Sequence, residues 1–165
     1  MHKSMRSAVC ATALLLAATI SSHAGSLSSG NAAFARGDYV RAARILLPLA
    51  ERGNARAQAM VGFMYATGQG VPQSYDAAGY WYRLSAEQGD VTAQYLLGLA
   101  YDKGQGVPLD EVAAYKWLNL AASRAPKRTR DDFARLRNAV ASKMSRGQIA
   151  AGQWHAVRWP ADSQF

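Results

Sequence analysis

Gly68-Gln69-Gly70-Val71-Pro72 recurs unchanged as Gly104-Gln105-Gly106-Val107-Pro108, 36 residues further along the chain. A glycine-rich loop either cradles a phosphate or turns the chain between two elements, and its neighbours decide which. A phosphate loop needs a Lys-Ser or Lys-Thr pair at a helix start after a strand. A dinucleotide fingerprint needs a third glycine in a βαβ setting. Here Val-Pro follows the second glycine, helical patterning lies on both sides, and no strand pattern precedes. The loop therefore reads as structural. Gly68, Gly70, Gly104 and Gly106 turn the chain, Pro72 and Pro108 fix φ ahead of the next helix, and Val71 and Val107 tuck into the helix pair.

The repetition extends well beyond the loop. Laying residues 57–86 over 93–122 without a gap gives 14 identities in 30 positions, among them Gly62 with Gly98, Tyr65 with Tyr101, and Trp81 with Trp117. Ungapped self-similarity at this period marks a solenoid. A further step back aligns Tyr39, Ala42, Ala50, Glu51 and Gly53 with Tyr75, Ala78, Ala86, Glu87 and Gly89. That first unit lacks the loop, so a tighter turn around Arg36-Gly37-Asp38 is expected.

Each unit reads as helix, loop, helix. Met60, Val61, Met64 and Tyr65 recur at helical spacing, and Ser74 and Asp110 are good N-caps for the second helices. Gly89 sits where a helix end favours a left-handed residue. Gly62 and Gly98 lie inside helices at a cost of about 1 kcal/mol each relative to alanine. Close approach of the partner helix, which a Cβ would block, is the physical reason to expect.

Met1–Ala24 reads differently. A basic start with Lys3 and Arg6, an apolar run from Ala8 to Ile20, and small residues around His23 make a signal peptide, with cleavage expected after Ala24. The apolar run is too short for the roughly 20 residues that span a bilayer, so no transmembrane segment is expected in the mature chain. The single cysteine, Cys10, leaves with it, and the remainder has neither disulfide nor thiolate metal site. Periplasmic or secreted localisation follows as an expectation. Charge is uneven. Residues 25–122 carry eight Lys/Arg and eight Asp/Glu, whereas residues 123–165 carry nine against three, an excess of +6.

With the pattern AxAQxxLGxxYxxGxGVPxxxxxAxxWYxxAAEQG in "AQAMVGFMYATGQGVPQSYDAAGYWYRLSAEQGD" (57–90) and "AQYLLGLAYDKGQGVPLDEVAAYKWLNLAAS" (93–123), the chain resembles the Sel-1-like repeat family, a relative of the tetratricopeptide repeat. The tail "RLRNAVASKMSRGQIAAGQWHAVRW" (135–159) is similar to the terminal helices of short secreted bacterial members, with Ser145 and Gln148 as a capping box. The resemblance implies an all-α, right-handed solenoid of about three helix pairs plus a terminal capping helix. Its divisions are a degenerate repeat at 25–54, repeats at 55–89 and 90–125, and basic capping helices and tail at 126–165. It also implies an adaptor that binds a protein or peptide on a concave face lined by the first helix of each pair. The outward positions would be Arg56, Ala59, Phe63 and Thr67, then Thr92, Tyr95, Leu99 and Lys103, with Arg128 and Arg135 as a third row. Cysteine-rich relatives that act on penicillins close each repeat with a disulfide, which the mature chain lacks.

Chemistry has little else to draw on. No mature serine has lysine three residues on, and His155 has no cysteine or second histidine near it in sequence. Asp131 and Asp132 are explained by the dipole at a helix start. Trp81 and Trp117 read as core, Tyr80 as outward because its counterpart is Lys116. No enzyme, cofactor or metal is expected. The basic tail suggests either a solvated cap or attraction to an anionic envelope polymer such as lipopolysaccharide or peptidoglycan, with no nucleic acid expected.

Overall fold

The computed structural model describes residues 27–159, which form eight helices. Residues 27–35 form α1. It is followed by α2 (Tyr39–Glu51), α3 (Ala55–Thr67), α4 (Tyr75–Glu87), α5 (Val91–Lys103), α6 (Glu111–Arg124), α7 (Lys127–Ala141) and α8 (Arg146–Arg158). They pack in sequence as an α-solenoid, α1–α2, α3–α4 and α5–α6 being the three repeat units and α7–α8 the terminal pair. The stretch read as a signal peptide lies outside the described residues.

Local chemistry sets the boundaries. Asp38, Asn54, Ser74, Asp90 and Asp110 each accept a backbone N–H three residues on, at 2.9–3.2 Å, satisfying donors that a helix start leaves open. Gly68 and Gly104 close α3 and α5 in the left-handed conformation, at φ 70° and 64°. Ser145 and Gln148 form the reciprocal capping box of α8. One expectation is corrected. Pro126 starts α7 at Lys127, so Asp131 and Asp132 fall beyond its first turn, where the dipole no longer favours an acid. Asp132 instead pairs with Arg135.

Within each unit the two helices approach at a glycine. A Cβ on Gly62 would stand 2.6 Å from the Tyr82 ring, and one on Gly98 2.6 Å from Leu118. Gly30 does the same against Leu46. The 36-residue shift conceals this match, because the first unit is four residues shorter in its turn.

The GQGVP loops do more than turn the chain. A Cβ on Gly70 would overlap the carbonyl oxygen of Tyr39, the residue that opens α2. One on Gly106 would overlap that of Tyr75, which opens α4. Gly79 of α4 leaves room in turn for the Gly106 carbonyl. Each loop is thus seated on the second helix of the preceding unit. Buried amides add a second link between units: Gln58 Nε2 donates to Ala50 O at 3.0 Å and Gln94 Nε2 to Ala86 O at 3.3 Å, capping the carbonyl ends of α2 and α4. Ser85, fully buried, donates to Ala55 O at 2.7 Å and ties α4 back to α3.

Leu46, Leu49, Val61 and Met64 anchor the core of the first two units, and Leu97, Val107, Trp117 and Tyr82 that of the next. Trp117 is 6% exposed, but its counterpart Trp81 is only half-buried, with Tyr80 edge-on at 5.2 Å. Tyr80 itself is exposed, as expected. On the far side of α6, Gly152 of α8 lies where a Cβ would meet the Tyr115 ring at 2.8 Å. Tyr115 corresponds to Gly79, so α8 covers on α6 the place that a loop covers on α4.

Gly53 and Gly106 both have positive φ, 88° and 70°, but a Cβ on Gly53 meets nothing within 4 Å. Gly53→Ala should therefore cost about 1 kcal/mol, the left-handed penalty alone. Gly106→Ala adds a clash with backbone that cannot turn aside, and its loss should exceed that of Gly53→Ala by at least about 2 kcal/mol. Urea unfolding of the two variants checks this. Trp→Ala at position 117 should cost about 3–5 kcal/mol, with a smaller loss at Trp81.

Candidate partner-binding groove

The side of the array formed by α1, α3 and α5 carries an apolar hollow. A cavity of about 220 Å³ lies between Phe34 of α1, Arg56, Ala59, Met60 and Phe63 of α3, and Thr92 and Leu96 of α5. Phe63 and Leu96 also wall a neighbouring cavity of about 150 Å³, which Tyr82, Leu99, Ala100 and Lys103 help to line. Together they make one groove crossing three units. The opposite faces of α3 and α5 are committed to α4 and α6 through Gly62 and Gly98, which fixes the remaining face outward.

Several side chains hold the groove in shape. Phe34 meets Phe63 edge-to-face at 6.0 Å and Tyr39 at 5.1 Å, geometries that aromatic quadrupoles favour. Arg56 reaches Asp90 at 3.5 Å, joining the starts of α3 and α5. This exposed pair contributes little energy, yet it places a guanidinium on the rim. The floor is Tyr82, 4% exposed.

Of the residues the sequence assigns to this face, the structure brings together Arg56, Ala59, Phe63 and Thr92 in one cavity and Leu99 and Lys103 in the next. Ala59 is 3% exposed and shapes the wall more than it offers contact. Thr67 and Tyr95 line neither cavity. Thr67 Oγ1 donates to Phe63 O at 2.8 Å, and Tyr95 is stacked on Phe133 of α7, with ring centroids 4.2 Å apart. That stack places α7 against α5, and Arg128 and Arg135 on α7 border neither cavity. Sequence reasoning missed Phe34, Met60 and Leu96. Phe34 belongs to the degenerate unit, and Met60 and Leu96 sit one position from the stripe chosen, Met60 on the helical row of Arg56 and Phe63.

A polar hollow of about 320 Å³ lies elsewhere, among Arg83, Glu87, Tyr101, Asp110, Lys116, Trp117 and His155. Its polar groups largely serve one another. Arg83 Nη2 donates to Tyr101 Oη at 3.1 Å, Asp110 Oδ1 caps α6, and Lys116 Nζ lies 4.6 Å over Trp117. Among the described residues no three His, Cys, Asp or Glu side chains gather as a metal site, and no helix is long and apolar enough to cross a membrane.

Residues 55–90 and 91–125 match the Sel1 repeat. Among solved structures, the chain is similar to a protective antigen present in uropathogenic Escherichia coli strains displaying an SLR fold. The TM-score is 0.74 at 26% identity, covering 81% of this chain and 29% of that one. It is also similar to a Sel1 repeat protein from Oxalobacter formigenes, with TM-score 0.57 at 34% identity, covering 60% of this chain and 39% of that one. The chain thus spans well under half the length of either. No curated protein matches it in sequence.

Burial pushes the phenol of Tyr82 well above the ordinary tyrosine value, which has a consequence in alkali. Below about pH 10 the phenol is neutral both folded and unfolded, and its contribution is fully present. Above that pH the unfolded chain ionises first, so stability falls as pH rises toward the folded value. Unfolding midpoints of the wild type should drop from about pH 10 upward, and Tyr82→Phe should drop less over the same range. Denaturant titrations at stepped pH measure the difference.

Proposed function

This chain belongs to the Sel1 repeat family, and on that premise we propose that it is a non-enzymatic scaffold that binds a protein or peptide along the α1–α3–α5 groove. The observation that carries the reading is the groove itself: Phe34, Met60, Phe63 and Leu96 wall an open apolar channel between the first helices. Apolar surface left open and rimmed by polar groups, here Arg56 and Thr92, is the mark of a recognition site. A short amphipathic helix or extended segment inserting two or three apolar side chains fits such a channel. The Sel1 repeat is itself a protein-interaction module, which supports the same reading.

We also infer export. The basic, apolar and small-residue order of Met1–Ala24 supports removal of a signal peptide and action in the periplasm or outside the cell. Mass spectrometry of the exported protein should find its first residue near Gly25, and finding Met1 on protein in a membrane fraction would refute it.

A second reading, binding of an anionic envelope polymer through the basic C-terminal unit, rests on the exposed Lys127 and Arg128 at the start of α7. Much of the remaining charge is already engaged. Arg130 donates to Ala125 O, Arg137 to Asn119, and Lys143 to Asp102 at 2.9 Å, while Arg135 pairs with Asp132. These contacts favour a solvated cap.

Crosslinking in cells followed by mass spectrometry would name the partner, and capture from extract at low and high salt tests the site. Phe63→Asp should lower capture roughly tenfold or more, as loss of a central apolar contact does, while Arg128→Glu with Arg135→Glu leaves it unchanged. Capture that ignores Phe63→Asp and vanishes in salt would overturn the groove and favour the polymer.

A further inference from the structure

α8 has two apolar faces, and among the described residues only one of them is packed against the fold. Gly152 and Ala156, both buried, hold the helix against α6, with Ile149 beside them in the last core cluster and Trp159 just after it. At roughly 100° per residue, Ala150, Trp154 and Val157 fall on a stripe about 150° away from that contact. All three are exposed, Trp154 at 54% and Val157 at 84%. The stripe is about 11 Å long by helix rise.

Its borders are cationic. Helical spacing puts Arg146 on one edge of the stripe and Arg158 on the other, and both are exposed. The Arg158 guanidinium lies over the Trp154 ring at 4.6 Å, and His155 meets the same ring edge-on at 5.1 Å. α8 contains no acidic residue, and residues 123–165 carry an excess of +6.

We propose that this outer face of α8 is a docking surface for an anionic phospholipid bilayer, with the helix lying in the interface plane. Trp154 is amphipathic and suits the headgroup level, Val157 and Ala150 enter the acyl boundary, and Arg146 and Arg158 stay with the phosphates. The helix is already formed and anchored on α6, so binding does not have to fold it. A second copy of the chain is the poorer occupant. A two-fold pairing across α8 would set Arg146 and Arg158 against the same residues of the copy, and like charges oppose it. The surface is independent of the groove, and neither reading requires the other.

The test is co-sedimentation of the full mature chain with vesicles of phosphatidylcholine alone or mixed with phosphatidylglycerol. Binding should appear with the anionic vesicles only and weaken with salt. Arg146→Gln and Arg158→Gln should each lower it roughly fivefold, the share of one basic residue at such a surface. Trp154→Ser with Val157→Ser should abolish it, with circular dichroism and the melting temperature unchanged. If that double variant fails to fold, the arginine variants still decide, because both leave the stripe intact. Absent vesicle binding, or binding that the variants do not alter, overturns the proposal. So does a dimer in sedimentation velocity that the same variants dissolve, which would assign the stripe to a second copy.

Discussion

Backbone-to-backbone contact between a loop glycine and the first carbonyl of the preceding unit's second helix is the constraint on which the array depends. Gly70 lies on Tyr39 and Gly106 on Tyr75, each so closely that a side chain cannot be interposed. Side-chain packing tolerates substitution by repacking, whereas main chain against main chain leaves no degree of freedom to absorb a methyl group. The loops therefore set the offset between neighbouring units, and the buried amides of Gln58 and Gln94 secure the same joints at the other end of α2 and α4. The first helices inherit their spacing from these joints. The width of the channel between Phe34, Phe63 and Leu96 is a consequence of where the loops sit, some distance from the channel itself.

The terminal pair shows how such an array is closed. Where another unit would bring a loop onto α6, α8 brings Gly152 against Tyr115 and Val112. Stacking of Tyr95 on Phe133 bounds the channel at α7, and Lys143 and Arg137 reach back to Asp102 and Asn119. Two of the tail's basic side chains thus serve attachment to the last repeat. A terminal unit must hide one face and wet the other, and here α7 buries Val140 while Lys127, Arg128, Arg130 and Arg135 stand exposed.

The fold was legible in the sequence because its period is written in invariant spacing. Two copies of GQGVP at 36 residues, Ser74 and Asp110 before their helices, and the paired Gly62 and Gly98 each point to one local geometry, and the geometries agree. The loop's destination was not legible. Sequence shows that a glycine turns but not what the turned backbone rests on, so the seats on Tyr39 and Tyr75 required coordinates. The candidate site was legible in part. Arg56, Phe63, Thr92 and Leu99 follow from the helix that carries them, but the choice between Leu96 and Tyr95 depends on a rotation of less than one residue step. Helical periodicity does not resolve that. Phe34 lay in a unit whose missing loop shifts its register by four, which also hid the equivalence of Gly30 with Gly62. Trp81 and Trp117 are alike in sequence and differ in burial: Trp117 shares its core cluster with Ala156 of α8 and meets Trp159 edge-on at 6.4 Å, contacts that the repeat pattern does not encode.

The seating of each loop on the unit before it gives the array a direction. Every full unit presents a loop toward the N-terminal side and offers, at the start of its second helix, a seat toward the C-terminal side. A unit inserted whole between two others therefore arrives with both halves of the joint. Copy number can change by 36 residues at a time without redesigning either end, and each insertion lengthens the channel by one rung of first-helix side chains. A fragment that carried a loop without the following helix would satisfy one junction and orphan the next. The smallest increment by which this architecture can grow is thus a complete period, and reach along a partner is quantised in the same step.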